Sequence, residues 1–189
     1  MKIALTGGIA CGKSLVAKFL NELGAETIDA DDVVHELIPD PAERKRLAAE
    51  VFGNEAKRKE LEARIHPLVK ERIGEWLSVD AARTPRLRVA IIPLLFEAHW
   101  EGNFDIICCV RSARATQVAR MMETRGYTRE EAEARLAAQM PVEEKAAKSH
   151  YVIENNGTTE ELKFKVAEFV NWLKEMKESY KRRSRSRQS

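Results

Sequence analysis

The stretch TGGIACGKS, residues 6–14, puts glycine at 7, 8 and 12, lysine at 13 and a hydroxyl at 14. Gly7, four residues, then Gly12-Lys13-Ser14 fits G-x-x-x-x-G-K-[ST], the pattern of loops that cradle phosphate chains. A phosphate chain calls for many donors and little steric bulk. Glycines let the backbone fold tightly and turn its N–H groups inward. A helix that starts there adds its positive end. Lys13 would then reach the β- and γ-phosphates, and the Ser14 hydroxyl would hold Mg²⁺. The bland alternative is a glycine-rich turn between a strand and a helix.

A phosphate loop does not name a reaction. A GTPase should carry N-K-x-D, which is absent, and helicase-type ATPases end an apolar strand in Asp-Glu. Here the strongest apolar run ends in PLLFE, residues 93–97. What is left is phosphotransfer to a small molecule, which needs an acid near the acceptor hydroxyl and arginines over the phosphates. IDADD (28–32) offers Asp29, Asp31 and Asp32. Asp31 is the candidate base, taking or orienting the hydroxyl proton. One of the three acids is expected to cap the next helix instead. Segment 111–139 is rich in arginine on two helical stretches. A basic hairpin of this kind can close over a nucleotide and exclude water. Most of its arginines also fit solvated Glu–Arg pairs. Arg120 and Arg125 are the two assigned to catalysis.

These groups need elements to hold them. Lys2–Thr6 reads as a buried strand, and Leu15, Val16, Phe19, Leu20 and Leu23 recur at helical spacing over 13–23 before Gly24. AETIDAD (25–31) reads as a second strand. Val33–Leu77 reads as charged helix, with turn signals at PDP, at Gly53 and at His66-Pro67. LRVAIIPLLF (87–96) reads as a central buried strand, FDIICCV (104–110) as another, and HYVI (150–153) as the last. Thr128 with Glu131 and Thr158 with Glu161 have capping-box spacing. The last helix carries Leu162, Val166, Phe169, Val170 and Leu173 on one face. Strands alternating with helices predict an α/β fold with a mostly parallel sheet. Ligands of such sheets bind beyond the strands' carboxyl ends, where the candidate residues fall.

The 189 residues suffice for one domain. Net charge is +2, but KRRSRSRQS (181–189) holds five basic residues and no acid, so the body is mildly acidic. That tail is expected to be disordered and solubilising; a tether to nucleic acid is the alternative. Three cysteines, two of them adjacent, make no disulfide framework. No apolar run approaches a membrane span, and no signal peptide is recognisable. A cytoplasmic protein with reduced thiols, a monomer binding neither nucleic acid nor membrane, is the expectation.

LTGGIACGKS, IDAD, His66-Pro67, IIPLLFE, the Gln117/Arg120 pair, RGYT…Q and VIENNG occur in this order. In this the chain resembles dephospho-CoA kinases from Lys2 to about Val170. The resemblance implies transfer of the ATP γ-phosphate to the ribose 3′-hydroxyl of dephospho-CoA, giving CoA in the last step of its biosynthesis. It implies the P-loop nucleoside-triphosphate hydrolase-type fold: a five-stranded parallel sheet flanked by helices, a helical acceptor-binding region (about 32–85) and a lid (about 111–149). The kinase domain would span 1–180. The resemblance gives Gly7, Gly8 and Ala10, Cys11, Gly12, Lys13, Ser14 and Leu15 to ATP, with Asn155 and Asn156 near its adenine. It makes Asp31 the catalytic acid of DAD. It lines the acceptor pocket with Thr6, Asp31, His66, Pro67, Pro93, Leu94, Leu95 and Glu97. Two other readings stand beside it: a different P-loop small-molecule kinase, or a nucleotide-dependent regulatory protein.

Four departures from the family pattern stand out. Cys11 and Leu15 replace a usual hydroxyl residue and a threonine. The stretch between Glu36 and Arg44 lacks some twenty residues. Arg120 and Arg125 are five apart rather than four. Glu154 replaces an aspartate. Cys11, beside Lys13 at a helix N-terminus, is placed where a thiol pKa is lowered; it reads either as a reactive thiol that ATP shields or as a small residue that fits the loop.

Overall fold

The computed structural model describes residues 1–51, 54–78 and 86–185. The chain divides into two compact units, Met1–Thr27 with Leu87–Ser189, and Ile28–Arg86.

The first unit is built on a sheet in the order β2-β3-β1-β4-β5. Its strands are β1 (Ile3–Gly7), β2 (Glu26–Asp29), β3 (Arg88–Ile91), β4 (Ile106–Arg111) and β5 (Tyr151–Glu154). β1 runs parallel to β3 and β4, and β4 to β5. The expected five-stranded parallel sheet flanked by helices is therefore present. β1 is buried along its whole length, because its neighbours and the helices cover both faces. The register pairs Gly7 with Val110 and Val110 with Ile153, which lines up the carboxyl ends of the three strands.

The helices of this unit are α1 (Lys13–Glu22), α5 (Arg114–Arg125), α6 (Arg129–Ala137), α7 (Val142–Ala147) and α8 (Thr159–Arg185). Both predicted capping boxes form. Thr128 Oγ1 accepts from Glu131 N while Thr128 N donates to Glu131, and Thr158 pairs with Glu161 in the same way. The apolar stripe of α8 docks as expected: Leu162, Val166, Phe169, Val170 and Leu173 are all buried. Each such side chain contributes about 1.5–3 kcal/mol on burial. Tyr151 of β5 adds ring contacts to Phe169 and Trp172, with centroids 4.9 and 5.1 Å away.

The second unit is helical: α2 (Ala30–Leu37), α3 (Pro41–Val51) and α4 (Glu55–Ser78). Asp29 caps α2, its Oδ1 accepting from Asp31 N at 2.9 Å, so one of the three acids does take the expected capping role. The bridge from α2 to α3 is short. Arg44 fastens it by donating to the Ile38 and Pro39 carbonyls at 2.6 and 2.9 Å.

Three local expectations are corrected. The run 87–96 is not one strand: β3 stops at Ile91. Ile92 N still donates to Leu5 O, but Pro93 has no N–H to continue the ladder. The remaining apolar residues fold into turns that bury Leu95, Phe96 and Trp100. His66-Pro67 is no turn, since α4 runs through Pro67 and buries Val69 and Ile73 beyond it. And α8 continues to Arg185, into the segment read as a disordered tail; residues 186–189 lie outside the described ones, as does the turn signal at Gly53.

Candidate active site

The loop after β1 must leave a strand, turn and start α1 within five residues. Two glycines make that turn possible. Gly7 sits at φ 145°, and a Cβ there would come within 2.3 Å of Val110 O. Gly12 sits at φ 91°, and its Cβ would meet Asn155 Nδ2 at 2.4 Å. Both backbones are in a region that side chains rarely adopt.

The loop's carbonyls are all braced. Lys13 Nζ donates to Gly7 O at 3.0 Å and Gly8 O at 2.9 Å. Gln117 Nε2 donates to Ile9 O at 2.6 Å, Arg120 Nη1 to Ala10 O at 3.2 Å, and Asn155 Nδ2 to Cys11 O at 2.9 Å. Five successive oxygens are thus held by side chains from α1, α5 and the segment after β5. The first N–H groups of α1 have no intrahelical partner. With the oxygens tied off, the loop's remaining polarity is positive, as an anion site requires.

Arg120 is the hub of this bracing. Its guanidinium also donates to Ser112 Oγ at 3.1 Å and Asn155 O at 3.1 Å, and Ser112 Oγ donates to Asn155 O at 2.7 Å. Asn156 Oδ1 accepts from Ala113 N at 2.7 Å. The amides of Asn155 and Asn156 therefore hold the loop and the start of α5. Arg125, by contrast, is exposed at the end of α5 before the left-handed Gly126, and it makes no side-chain hydrogen bond or ion pair among the described residues. Arg111 of β4 pairs with Glu154 of β5 and Arg114 of α5 with Glu133 of α6, so both pairs join separate elements rather than lying along one helix face as expected.

The PLLFE turn points mostly inward. Leu95 is fully buried, while Leu94 is 41% exposed. Thr6 Oγ1 donates to Pro93 O at 3.3 Å. Glu97 faces a group that the sequence did not flag. Lys145 of α7 is 0% exposed, and its Nζ lies 2.7 Å from Glu97 Oε1 and 2.9 Å from Pro93 O. A lysine in PVEEK reads as a solvated helix residue, because its partner is distant in sequence. Ser112 gives no signal in the sequence for the same reason.

Beside the loop lies a cavity of about 320 Å³, lined by Gly8, Ile9, Arg114, Gln117 and residues 136–137 and 139–143. In the second unit, Asp31 is the second residue of α2, and its exposed carboxylate has no hydrogen bond or ion pair among the described residues. His66 is half-buried and Pro67 exposed, both within α4.

Cys11 departs from expectation. It is buried, and burial pushes its thiol up; the Lys13 charge and hydrogen bonds from Ser112 and Gly8 pull it down less. The setting does not activate the thiol, because the loss of water outweighs the Lys13 charge and those hydrogen bonds, which favours the reading of Cys11 as a small residue that fits. All three cysteines are free, as expected.

The family model described as dephospho-CoA kinase matches residues 1–43 and 40–161. The two matched pieces overlap at residues 40–43, where α3 begins. A dephospho-CoA kinase of Geobacter sulfurreducens is 41% identical over 91% of this chain and 97% of its own length. A crystal structure from Thermus thermophilus superposes with TM-score 0.73 at 34% identity, covering 92% of this chain and 97% of that one. The dephospho-CoA kinase of Campylobacter jejuni gives TM-score 0.70 at 25% identity, over 92% and 98%. With sheet, phosphate loop and sequence in agreement, the chain belongs to the dephospho-CoA kinase family.

Proposed function

We propose that this protein transfers the γ-phosphoryl group of ATP to the ribose 3′-hydroxyl of dephospho-CoA, yielding ADP and CoA. The observation that carries the proposal is the braced phosphate loop, Gly7 to Cys11, in a chain of this family.

Phosphoryl transfer asks the protein chiefly to position and to stabilise charge. The loop N–H groups and the start of α1 would hold the phosphates. Lys13, whose ammonium rests on the loop's first carbonyls, would follow the β- and γ-phosphates as they bind. Asn155 and Asn156 spend their side chains on bracing, so the adenine would meet their backbone. Asp31 is free to accept a hydrogen bond from the acceptor hydroxyl and to take its proton as the phosphoryl group leaves ATP. Arg125, uncommitted among the described residues, is the arginine proposed to meet developing charge, whereas Arg120 would act by keeping the loop in shape.

The residues present fit Mg²⁺. The Ser14 hydroxyl is exposed beside Lys13 and makes no hydrogen bond among the described residues. Among the described residues no cluster of three or more ligating side chains exists. That suits an ion that keeps waters and binds mostly through substrate phosphates. When bound, it would neutralise charge on the phosphates. In the first unit the acceptor would lie against Thr6, Pro93 and Leu94, with Leu95 and Glu97 supporting that surface from behind; in the second, His66 and Pro67 remain the acceptor contacts that the resemblance assigns. No described helix is long and apolar enough to cross a membrane. A cytoplasmic monomer is the proposed state.

Incubation with ATP, Mg²⁺ and dephospho-CoA, followed by mass spectrometry, tests the proposal. Equimolar ADP and CoA are expected. ADP without CoA, or faster phosphorylation of adenosine or AMP, would overturn it.

A further inference from the structure

Lys145 is a fully buried ammonium, and a merely stabilising role does not account for it. Glu97 Oε1 receives both Lys145 Nζ and, at 3.1 Å, the backbone N–H of Met140. Glu97 Oε2 is sealed from solvent without a hydrogen-bond partner. An apolar pair of similar volume would avoid that orphaned oxygen and the desolvation of two charges. The polar pair does something an apolar pair cannot: it ties four segments to fixed points. Pro93 O takes the Lys145 ammonium and the Thr6 hydroxyl, so the end of β1, the turn after β3, the loop before α7 and α7 itself meet at one place. Met140 belongs to the run 139–143 that walls the cavity next to Gly8 and Ile9.

The carbonyls of the phosphate loop do not depend on this pair, although Val142 of the wall lies beside Gly8, where a Cβ would come within 3.2 Å of Val142 Cβ. Those carbonyls are held by α5, Lys13 and Asn155. The two sets of contacts divide the site: one shapes the ATP cradle, the other the wall beside it. We propose that the Lys145–Glu97 pair positions the 139–143 wall for the phosphoryl acceptor, so that it sets acceptor affinity and leaves ATP affinity alone. The proposal rests on the functional reading above for the identity of the acceptor. Lys145 and Glu97 are positioning residues and touch no reacting atom.

The test compares wild type with Lys145→Met and with the double variant Glu97→Leu/Lys145→Met. The single variant strands a buried carboxylate and is expected to lose stability. The double variant removes both charges and should melt near wild type. In it, Met140 N has lost its acceptor. We expect the KM for dephospho-CoA to rise about 10-fold while the KM for ATP stays within about twofold, since loss of alignment far from the reacting atoms weakens productive binding. Peptides covering 139–143 should exchange amide hydrogen at least about 10-fold faster, with β4 peptides unchanged. Should the double variant recover both stability and acceptor KM, the pair is structural only and the proposal falls. Should wild type transfer nothing to dephospho-CoA, the functional proposal falls by itself. Exchange then decides: unchanged rates at 139–143 overturn the positioning role, and faster rates sustain it.

Discussion

At the scale of single residues, the groups that hold the phosphate loop differ in kind from the residue proposed as the base. Lys13, Gln117, Arg120 and Asn155 are committed to backbone oxygens. Asp31 is not: its carboxylate is exposed and unpaired among the described residues, and the capping of α2 is done by Asp29. Asp31→Asn should therefore leave the fold intact, with stability changed by no more than about 0.5 kcal/mol as for other uncommitted surface positions. As a proposed base it should lower kcat by about 10²- to 10⁴-fold. Steady-state kinetics with nucleotide titration checks this; a rate close to wild type would remove Asp31 from the chemistry. The motif made Asp31 a candidate, because an acid just past the end of a strand can serve as a base; it lies at the start of α2, two residues beyond β2. Lys145 was not legible. Its burial is decided by Glu97 and Pro93, and no local pattern in PVEEK signals that contact.

At the scale of elements, local rules that need only neighbours in the chain held well. The phosphate-loop spacing, both capping boxes and the α8 stripe all follow from residues within a few positions of one another. The misjudged elements are those where tertiary contacts overrule local ones. Apolarity from 87 to 96 suggests one strand, yet it serves a strand and then a buried turn. Pro67 suggests a break, yet α4 continues with Val69 and Ile73 packed beyond it. The strand–loop–helix unit gives a sharp comparison between two glycines with similar backbones. At Gly24, φ 85°, a methyl group would meet nothing within 4 Å, whereas at Gly12 it would meet Asn155 Nδ2 at 2.4 Å. Gly24→Ala should cost about 1–2 kcal/mol for the left-handed conformation alone. Gly12→Ala adds a clash with the amide that braces Cys11, so it should also weaken ATP binding by at least about 10-fold. Thermal melts with nucleotide-binding titrations distinguish the two; equal ATP affinity in both variants would show that the Asn155 brace does not shape the loop.

At the scale of the whole molecule, the core hides all three thiols, and this ties stability to pH. Burial pushes Cys109 up to about 12, with the neighbouring Cys11 thiol adding to the rise and Lys145, Lys13 and Arg111 opposing it. Burial also raises Cys108 and Cys11. In the unfolded chain these thiols ionise near an ordinary pKa of about 8.5. Between that value and the folded one, the native state keeps protons that the unfolded state has lost. Stability must then fall as pH rises, and below about pH 8 the thiols contribute no slope. One such thiol gives about 1.4 kcal/mol per pH unit within the window. Denaturant unfolding between about pH 8 and pH 10 should show this loss, and Cys109→Ala should make the slope shallower by about that amount. The variant will be less stable at neutral pH because it leaves a small void in a packed sheet, so the slope and not the offset is the measurement. Parallel lines for wild type and variant would mean that Cys109 ionises in the folded protein as readily as in the unfolded one, against its burial in β4 between β1 and β5.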